Sequence, residues 1–430
     1  MSKSIPRTII PADVRAIVEH LFRQESAKLS STLARSYGLR NLSDIEDIVQ
    51  DALEAAMVSW SYRGVPEYAT AWLFRVANNK ATDLLRRRSF EKKHFVVLDA
   101  EHKAISYQLD VEKILLPGEI EDSMLRMMFA CAHPGISVAS QIALMLKTLC
   151  GFSVREIASA FLTKDYTIDK RLTRARKYFR EHYVSLEPPM GRELTARRAS
   201  VLTALYLVFN EGYKRTESGG SADAPEQGIL DRDLCLEALR LALLVSEHES
   251  TRSPETDALI ALMSFLAARF DTRTAENGSI VVLPEQDRSK WNRNLIERGM
   301  EYFRRSEPDI YSSNYHLEAG IQALHVMAPR YEETDWAAIL GLYKRLYRLK
   351  PSPVVAMHEA VAIEKVHGAD AAIEFLRASP LPEHYLYHAI LGDVLEKSGR
   401  REDARESFRH AARLTRNAKE KALLEERAMA

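Results

Sequence analysis

Tyr166, Asp169, Lys170, Thr173, Arg174 and Lys177 fall at i, i+3, i+4, i+7, i+8 and i+11, the spacing that brings side chains to one face of an α-helix. Ammonium, guanidinium, hydroxyl and carboxylate groups in that pattern form hydrogen bonds to base edges in a major groove and to the phosphates beside it. Arg171, Arg176 and Arg180 flank the face and add positive field. The other side of the same stretch carries Ile168, Leu172, Ala175 and Phe179, an apolar stripe that must be buried against a neighbouring helix. That neighbour precedes it. Ser153 and Glu156 have capping-box spacing ahead of Ile157, Ala158 and Phe161, and Leu162–Thr163 supply a short turn. Gly151 to Arg180 therefore reads as a helix-turn-helix whose second helix faces DNA, against the plainer reading of a solvated basic helix.

A second set of polar residues precedes it. Ser43 and Glu46 repeat the capping-box spacing at the start of a predicted helix that buries Ile45, Ile48, Val49, Ala52, Ala56 and Trp60, while Asp47, Gln50 and Asp51 share another face. An acidic face repels DNA and suits a basic protein partner. Upstream, Asp13 can cap a first helix with Val14, Ile17, Val18, Leu21, Leu29 and Leu33 at helical spacing. Downstream, Pro66 suits the first turn of a third helix with Trp72, Leu73, Val76, Ala77, Leu84 and Leu85 buried and Arg75, Asn79, Lys80 and Asp83 exposed. That helix ends in Arg86, Arg87 and Arg88, near the aromatics Tyr62, Tyr68 and Trp72, a combination that suits a single strand with unstacked bases.

At 430 residues the chain is long enough for two to four domains. Its net charge is zero but unevenly spread: the first 184 residues carry 27 Lys and Arg against 22 Asp and Glu, a net +5, which leaves −5 for the remainder. Three widely spaced cysteines, Cys131, Cys150 and Cys235, form neither a disulfide framework nor a four-cysteine zinc site. A reducing cytoplasm fits them. Cys131, His133 and Cys150 lack a fourth ligand, so core packing is the expectation and no metal or other cofactor is predicted. The N-terminus lacks a signal-peptide core, and no run of about 18 apolar residues occurs, so no membrane partner is expected.

The acidic-x-x-Gln-acidic face at Asp47, Gln50 and Asp51, the Trp72-Leu73 start followed by Arg75, Asn79, Asp83 and Arg86 to Arg88, and the EIA…RLTRAR helix-turn-helix together resemble an extracytoplasmic-function (ECF) sigma factor. The resemblance implies an all-α chain: residues 1–92 as sigma region 2, residues 93–118 as a flexible linker and residues 119–184 as sigma region 4. It implies that Asp47, Gln50 and Asp51 meet core RNA polymerase, and that Arg75, Asn79, Lys80, Arg86 and Arg87 with the Tyr62 to Trp72 loop hold promoter minus-ten DNA. Tyr166, Asp169, Lys170, Thr173, Arg174 and Lys177 would take the minus-thirty-five element. Ala52-Leu53 departs from the family, which often has an aromatic there.

After Glu187-Pro188-Pro189 the chain continues for more than half its length, helical by pattern over Leu194 to Tyr213, Leu230 to Ser246, Pro254 to Phe270 and Trp291 to Arg305. A polar loop, TESGGSADAPEQG, breaks the first pair. His388, Leu391, Gly392, Leu395, Gly399, Ala404, Phe408 and Ala411 have tetratricopeptide spacing, in which a small residue lets two helices approach and Phe408 fills the gap; Thr334 to Arg377 offers degenerate helix pairs to stack on it. The chain is similar to the ECF subgroup with such an extension, carried by LYLVFNEGY, LPEQDRSKWNRNLIERG, TDW and PSPVV, although His358-Glu359 stand where that subgroup usually has Asn-Arg. Residues 192–330 are read as a helical extension and 331–430 as tetratricopeptide-like repeats. The LYLVF run is more apolar than a solvent-facing helix needs and suits docking on the DNA-binding part. Glu211, Asp287, Arg288 and Trp291 could form a ligand site, but the favoured reading is buried ion pairs that tie helices together.

Three functional classes compete: a promoter-specificity subunit, an autonomous helix-turn-helix regulator with a repeat sensor, and an enzyme. The second has no need of the acidic N-terminal face. The third lacks a glycine-rich phosphate loop, a metal cluster and a nucleophile elbow, so no catalysis is assigned.

Overall fold

A computed structural model describes residues 12–91, 117–161, 163–218, 226–275, 280–307, 312–378, 380–415 and 418–429. Among these, eighteen α-helices and short 3-10 turns make up the regular structure, with one isolated β-bridge between Thr274 and Ile280. The fold is all-α, as the periodicity predicts. It divides into two compact units, Met1–Ala204 and Leu205–Ala430. Most of the predicted tether at 93–118 lies outside the described residues, as do the side chains of Asp13, Val14, Ile17, Val18 and Leu21.

The first unit is built on α1 (Ala12–Tyr37), which packs against α2 (Leu42–Arg63), α4 (Pro117–Cys131) and α5 (Val138–Leu149); α3 (Ala69–Glu91) packs on α2. Gly38 and Gly64 end α1 and α2 at φ of 80° and 75°, a conformation that a side chain disfavours. Arg35 of α1 reaches Asp122 of α4 at 3.2 Å, so residues on either side of the tether belong to one packed body. Leu29, Leu33, Ile45, Leu53, Met127, Met128, Phe129 and Leu144 fill its core. Two expectations are corrected here. Helix α3 starts at Ala69 and not at Pro66, and its buried line is Leu73, Ala77 and Ala81 together with Phe74, while Trp72 sits half-buried against Trp60 at 5.5 Å. The capping box at Ser43 and Glu46 is absent: α2 begins at Leu42 after Asn41, with no side-chain cap, and Glu46 is used elsewhere.

The second unit stacks helices on their sequence neighbours. It runs from α8 (Gly191–Ser218), whose first half belongs to the first unit, through α9 (Glu226–Glu247), α10 (Pro254–Ala267), α11 (Arg293–Arg305) and α12 (Asn314–Met327). It continues with α13 (Trp336–Leu349), α14 (Pro353–His367), α15 (Ala369–Ala378), α16 (Tyr385–Lys397), α17 (Arg401–Leu414) and α18 (Ala418–Met429). Helix α10 is buried nearly all round, and Ser253 caps it by accepting from the Thr256 amide ahead of Pro254. A Cβ built on Gly392 would stand 2.7 Å from Phe408 Cε1, so the absence of a side chain there lets α16 and α17 approach around the Phe408 ring, as the spacing predicts. The LYLVF run departs from its expected docking role: Leu205, Val208 and Phe209 are buried, Tyr206 donates to Glu318 of α12 at 2.6 Å, and Cys235 of α9 donates to the Phe209 carbonyl at 3.3 Å. The run packs inside its own unit.

Candidate nucleic-acid interface

Helix α6 (Val154–Ala160) carries the capping box its sequence promises: the Ser153 amide donates to Glu156 Oε2 at 2.7 Å, and the Glu156 amide donates to Ser153 Oγ at 3.2 Å. The Thr163 amide then donates to the Ala158 carbonyl at 2.9 Å, which closes the turn into α7 (Asp165–Glu181); Leu162 lies outside the described residues. Ile168, Leu172, Ala175 and Phe179 are all fully buried against α5 and α6. That burial fixes the rotation of α7, and the opposite face, Tyr166, Asp169, Lys170, Thr173, Arg174 and Lys177, is exposed along its whole length. Lys170 Nζ sits 4.4 Å from the centre of the Tyr166 ring, a cation–π contact that orders the first turn, and Lys177 lies 3.6 Å from Glu181. At the far end Tyr178 stacks on His182 at 4.2 Å and lies 5.2 Å from His133 in the Cys131 to Gly135 turn, which anchors the helix C-terminus.

On α2, Asp47, Gln50 and Asp51 are exposed while Ile45, Ile48, Val49 and Ala52 are buried, so the acidic face exists as read. Asp44, absent from that reading, joins them one turn earlier at i, i+3 and i+7 spacing. Asp44, Asp47 and Asp51, with Ile48, Lys80, Asp83 and Leu84, line a shallow groove between α2 and α3. Lys80 lies 3.0 Å from Asp51, so a residue read as a DNA contact and one read as a polymerase contact form a single ion pair. Arg75, Asn79 and Arg86 are exposed on α3; the side chains of Arg87 and Arg88 lie outside the described residues. Tyr62 in the last turn of α2 and Tyr68 in the α2–α3 connection are 71% and 72% exposed, and flat exposed rings can take unstacked bases.

The carboxylate of Glu46 binds Arg176 of α7 at 2.5 Å and joins the acidic-face helix α2 to α7. Burial pushes the Glu46 carboxyl above its ordinary value, and the Arg176 guanidinium opposes that shift. Arg176 therefore serves the packing of the first unit and is not one more free cation beside the exposed face of α7. Cys131, Cys150 and Cys235 are buried thiols; Cys131 lies 3.7 Å from Thr148 Oγ1, and burial pushes it up to about 12. Among the described residues no group of three or more His, Cys, Asp or Glu could hold a metal ion, and no helix is long and apolar enough to cross a membrane.

Known proteins resemble the chain in two ways. Residues 21–91 match sigma-70 region 2, and residues 197–307 match a family of unknown function (DUF6596). Over 394 residues, 90% of this chain and 89% of the relative, it is 35% identical to an uncharacterized protein of Rhizobium meliloti (strain 1021). This chain belongs to the same family as that protein. It is also 28% identical to RNA polymerase sigma factor NccH of Alcaligenes xylosoxydans xylosoxydans, over 156 residues that make up 36% of this chain and 80% of NccH. No solved structure matches. The region 2 match contains α2 and α3 in full, so the acidic face, the groove and the exposed tyrosines are all surfaces of a sigma-70 region 2 domain.

Proposed function

We propose that this protein is an ECF-type sigma factor that confers promoter specificity on core RNA polymerase, with α7 as its minus-thirty-five reader and residues 205–430 as a fused regulatory domain. The observation that carries the proposal is the pair of differently charged surfaces in the first unit. Asp47, Gln50 and Asp51 project from a sigma-70 region 2 helix, and Tyr166, Asp169, Lys170, Thr173, Arg174 and Lys177 project from α7, the second of two helices joined by a short turn. A regulator that acted alone on duplex DNA would gain nothing from an exposed carboxylate row beside its DNA-binding surface, whereas a subunit that must hold a basic protein and DNA together needs both. Arg75, Asn79, Lys80, Arg86 and Arg87 with Tyr62 and Tyr68 take the minus-ten strand in this reading, through phosphate contacts and base stacking. The extension supports a regulatory role through its stacked helix pairs, in the manner of tetratricopeptide-like repeats that hold a peptide or helix. The test is co-purification of the full chain with core RNA polymerase: co-elution as one complex is expected, and separate elution at low salt refutes the polymerase contact. Run-off transcription by a chain ended at Ala204, compared with the full chain, tests the regulatory part, and equal promoter output would leave the extension without that role.

A further inference from the structure

We propose that the second unit binds the oxyanion of a small molecule, a phosphate or carboxylate group, on Arg269 and Arg288 beside Trp291 and His325. Arg269, Arg288 and Trp291 fall within residues 197–307, the segment whose family has no known function. Both guanidinium groups lie over one indole, that of Trp291: Arg288 Cζ is 4.9 Å and Arg269 Cζ 6.0 Å from the ring centre. The buried Trp291 is itself fixed by donating Nε1–H to Thr272 Oγ1 at 3.0 Å. Arg273 adds a third cation close by, 3.4 Å over the Tyr213 ring whose hydroxyl accepts from Arg269 at 2.8 Å.

The ion pairs expected for this cluster are not formed. Asp287 turns away, accepts from Ser289 and lies 3.8 Å from Lys290. Among the described residues no carboxylate comes within 4.0 Å of Arg269 or Arg288; Glu332 is the acidic group whose charge reaches Arg288, and Asp271 is paired with Arg232. Each arginine has a structural role that occupies only part of its fork. Arg288 Nη1 caps the C-terminal end of α12 by donating to the carbonyls of His325 and Ala328, both at 2.6 Å. Arg269 Nη2 holds Tyr213. That leaves Arg269 Nε, Arg288 Nη2 and His325 Nδ1 buried with no protein partner, in a residue, Arg269, that is only 7% exposed.

Buried guanidinium groups in folded proteins are paired, because an unpaired buried charge is strongly unfavourable. Here the cations instead act against one another. Burial and then Arg269 lower the Arg288 value, and burial with Arg269 and Arg288 pulls His325 down to about 3, so His325 is a neutral ring. A planar fork with free N–H groups is the geometry that phosphate and carboxylate oxygens match, and a single oxyanion would neutralise both arginines at once. Burial of Arg269 and Trp291 excludes a duplex or a folded partner as the donor of that group, and the half-buried Arg288 marks the side from which a small molecule reaches it.

The test uses the full chain without polymerase or DNA, so it is independent of the transcription reading. Inorganic phosphate and, separately, citrate are titrated against chloride at constant ionic strength, with melting temperature and tryptophan emission as readouts. A saturable rise in melting temperature and a saturable emission change are expected, with the emission change missing in Trp291→Phe. Arg288→Gln and Arg269→Gln should each weaken the apparent affinity by about tenfold or more. The anion that saturates at lower concentration identifies the ligand's group. No saturable response to either anion in the wild-type chain overturns the proposal, as does a response unchanged in whichever of the two variants folds.

Discussion

Arg176→Ala removes the cation that holds Glu46 and should reveal how α2 and α7 are packed in the first unit. The pair is largely buried, with side-chain exposures of 22% for Arg176 and 12% for Glu46. Breaking a buried pair by deleting one partner costs about 3–5 kcal/mol if the remaining charge stays charged. Glu46 has an alternative, because burial already pushes its carboxyl upward and Arg176 is the main group pulling it down. Taking a proton at pH 7.5 costs an ordinary carboxylate about 4 kcal/mol, at 1.36 kcal/mol per unit, and at pH 5.5 about 1.6 kcal/mol. Partial relaxation lowers both ceilings, so the expected loss is about 2–4 kcal/mol at pH 7.5 and less than about 2 kcal/mol at pH 5.5. The sign follows from proton counting: between the unfolded and the raised folded value the native state binds more protons, so stability falls as pH rises and the variant's deficit shrinks as pH falls. Urea melts of wild type and variant at the two pH values measure it, with Arg176→Ala in a Glu46→Gln background as the control in which the pH dependence should vanish. A deficit equal at both pH values, or one that grows on acidification, would refute the assignment.

Replacing Asp47 and Asp51 by Lys should abolish co-elution with core polymerase while unfolding midpoints stay close to wild type, because both are exposed and the Asp51–Lys80 pair is worth at most about 1 kcal/mol; unchanged recovery with polymerase removes these residues from the contact. Arg174→Ala should reduce discrimination between wild-type and base-substituted minus-thirty-five elements by about 1–3 kcal/mol, whereas Lys177→Ala should weaken all promoters alike and lower the salt slope by about one. Transcription of both promoter types by Arg174→Ala in the wild-type ratio would show that this side chain reads no base. Gly392→Ala should destabilise the chain by about 1–3 kcal/mol because the new methyl meets Phe408, and a Phe408→Leu partner change should recover part of that loss in thermal melts.

The features legible in the sequence were those written in local period. Ile168, Leu172, Ala175 and Phe179 had to be buried together wherever the helix went, and that single requirement fixed which side of α7 faces outward. Gly392 and Phe408 were readable for the same reason, since repeat spacing ties a small residue to the ring that covers it. Glu46 was misread because Ser-x-x-Glu serves a cap or leaves the carboxylate for a tertiary cation, and the competing Arg176 lies far along the chain. Arg288 was misread in the opposite direction. Its neighbour Asp287 was the obvious local counter-charge, yet Asp287 is committed to the Ser289 turn, and no periodicity announces that Arg269 and His325 arrive from other elements. The LYLVF run was correctly seen as needing burial, but periodicity does not say against what, and its own unit supplies the partner.

The most direct measurement of the central claim is run-off transcription with core RNA polymerase on genomic fragments, with and without the full chain. The account predicts discrete transcripts that depend on the chain, start at promoters sharing one minus-thirty-five and one minus-ten element, and disappear when Asp47 and Asp51 are replaced by Lys. Sequence-specific binding of the chain alone to duplex DNA, with no chain-dependent transcript from any fragment, would contradict it.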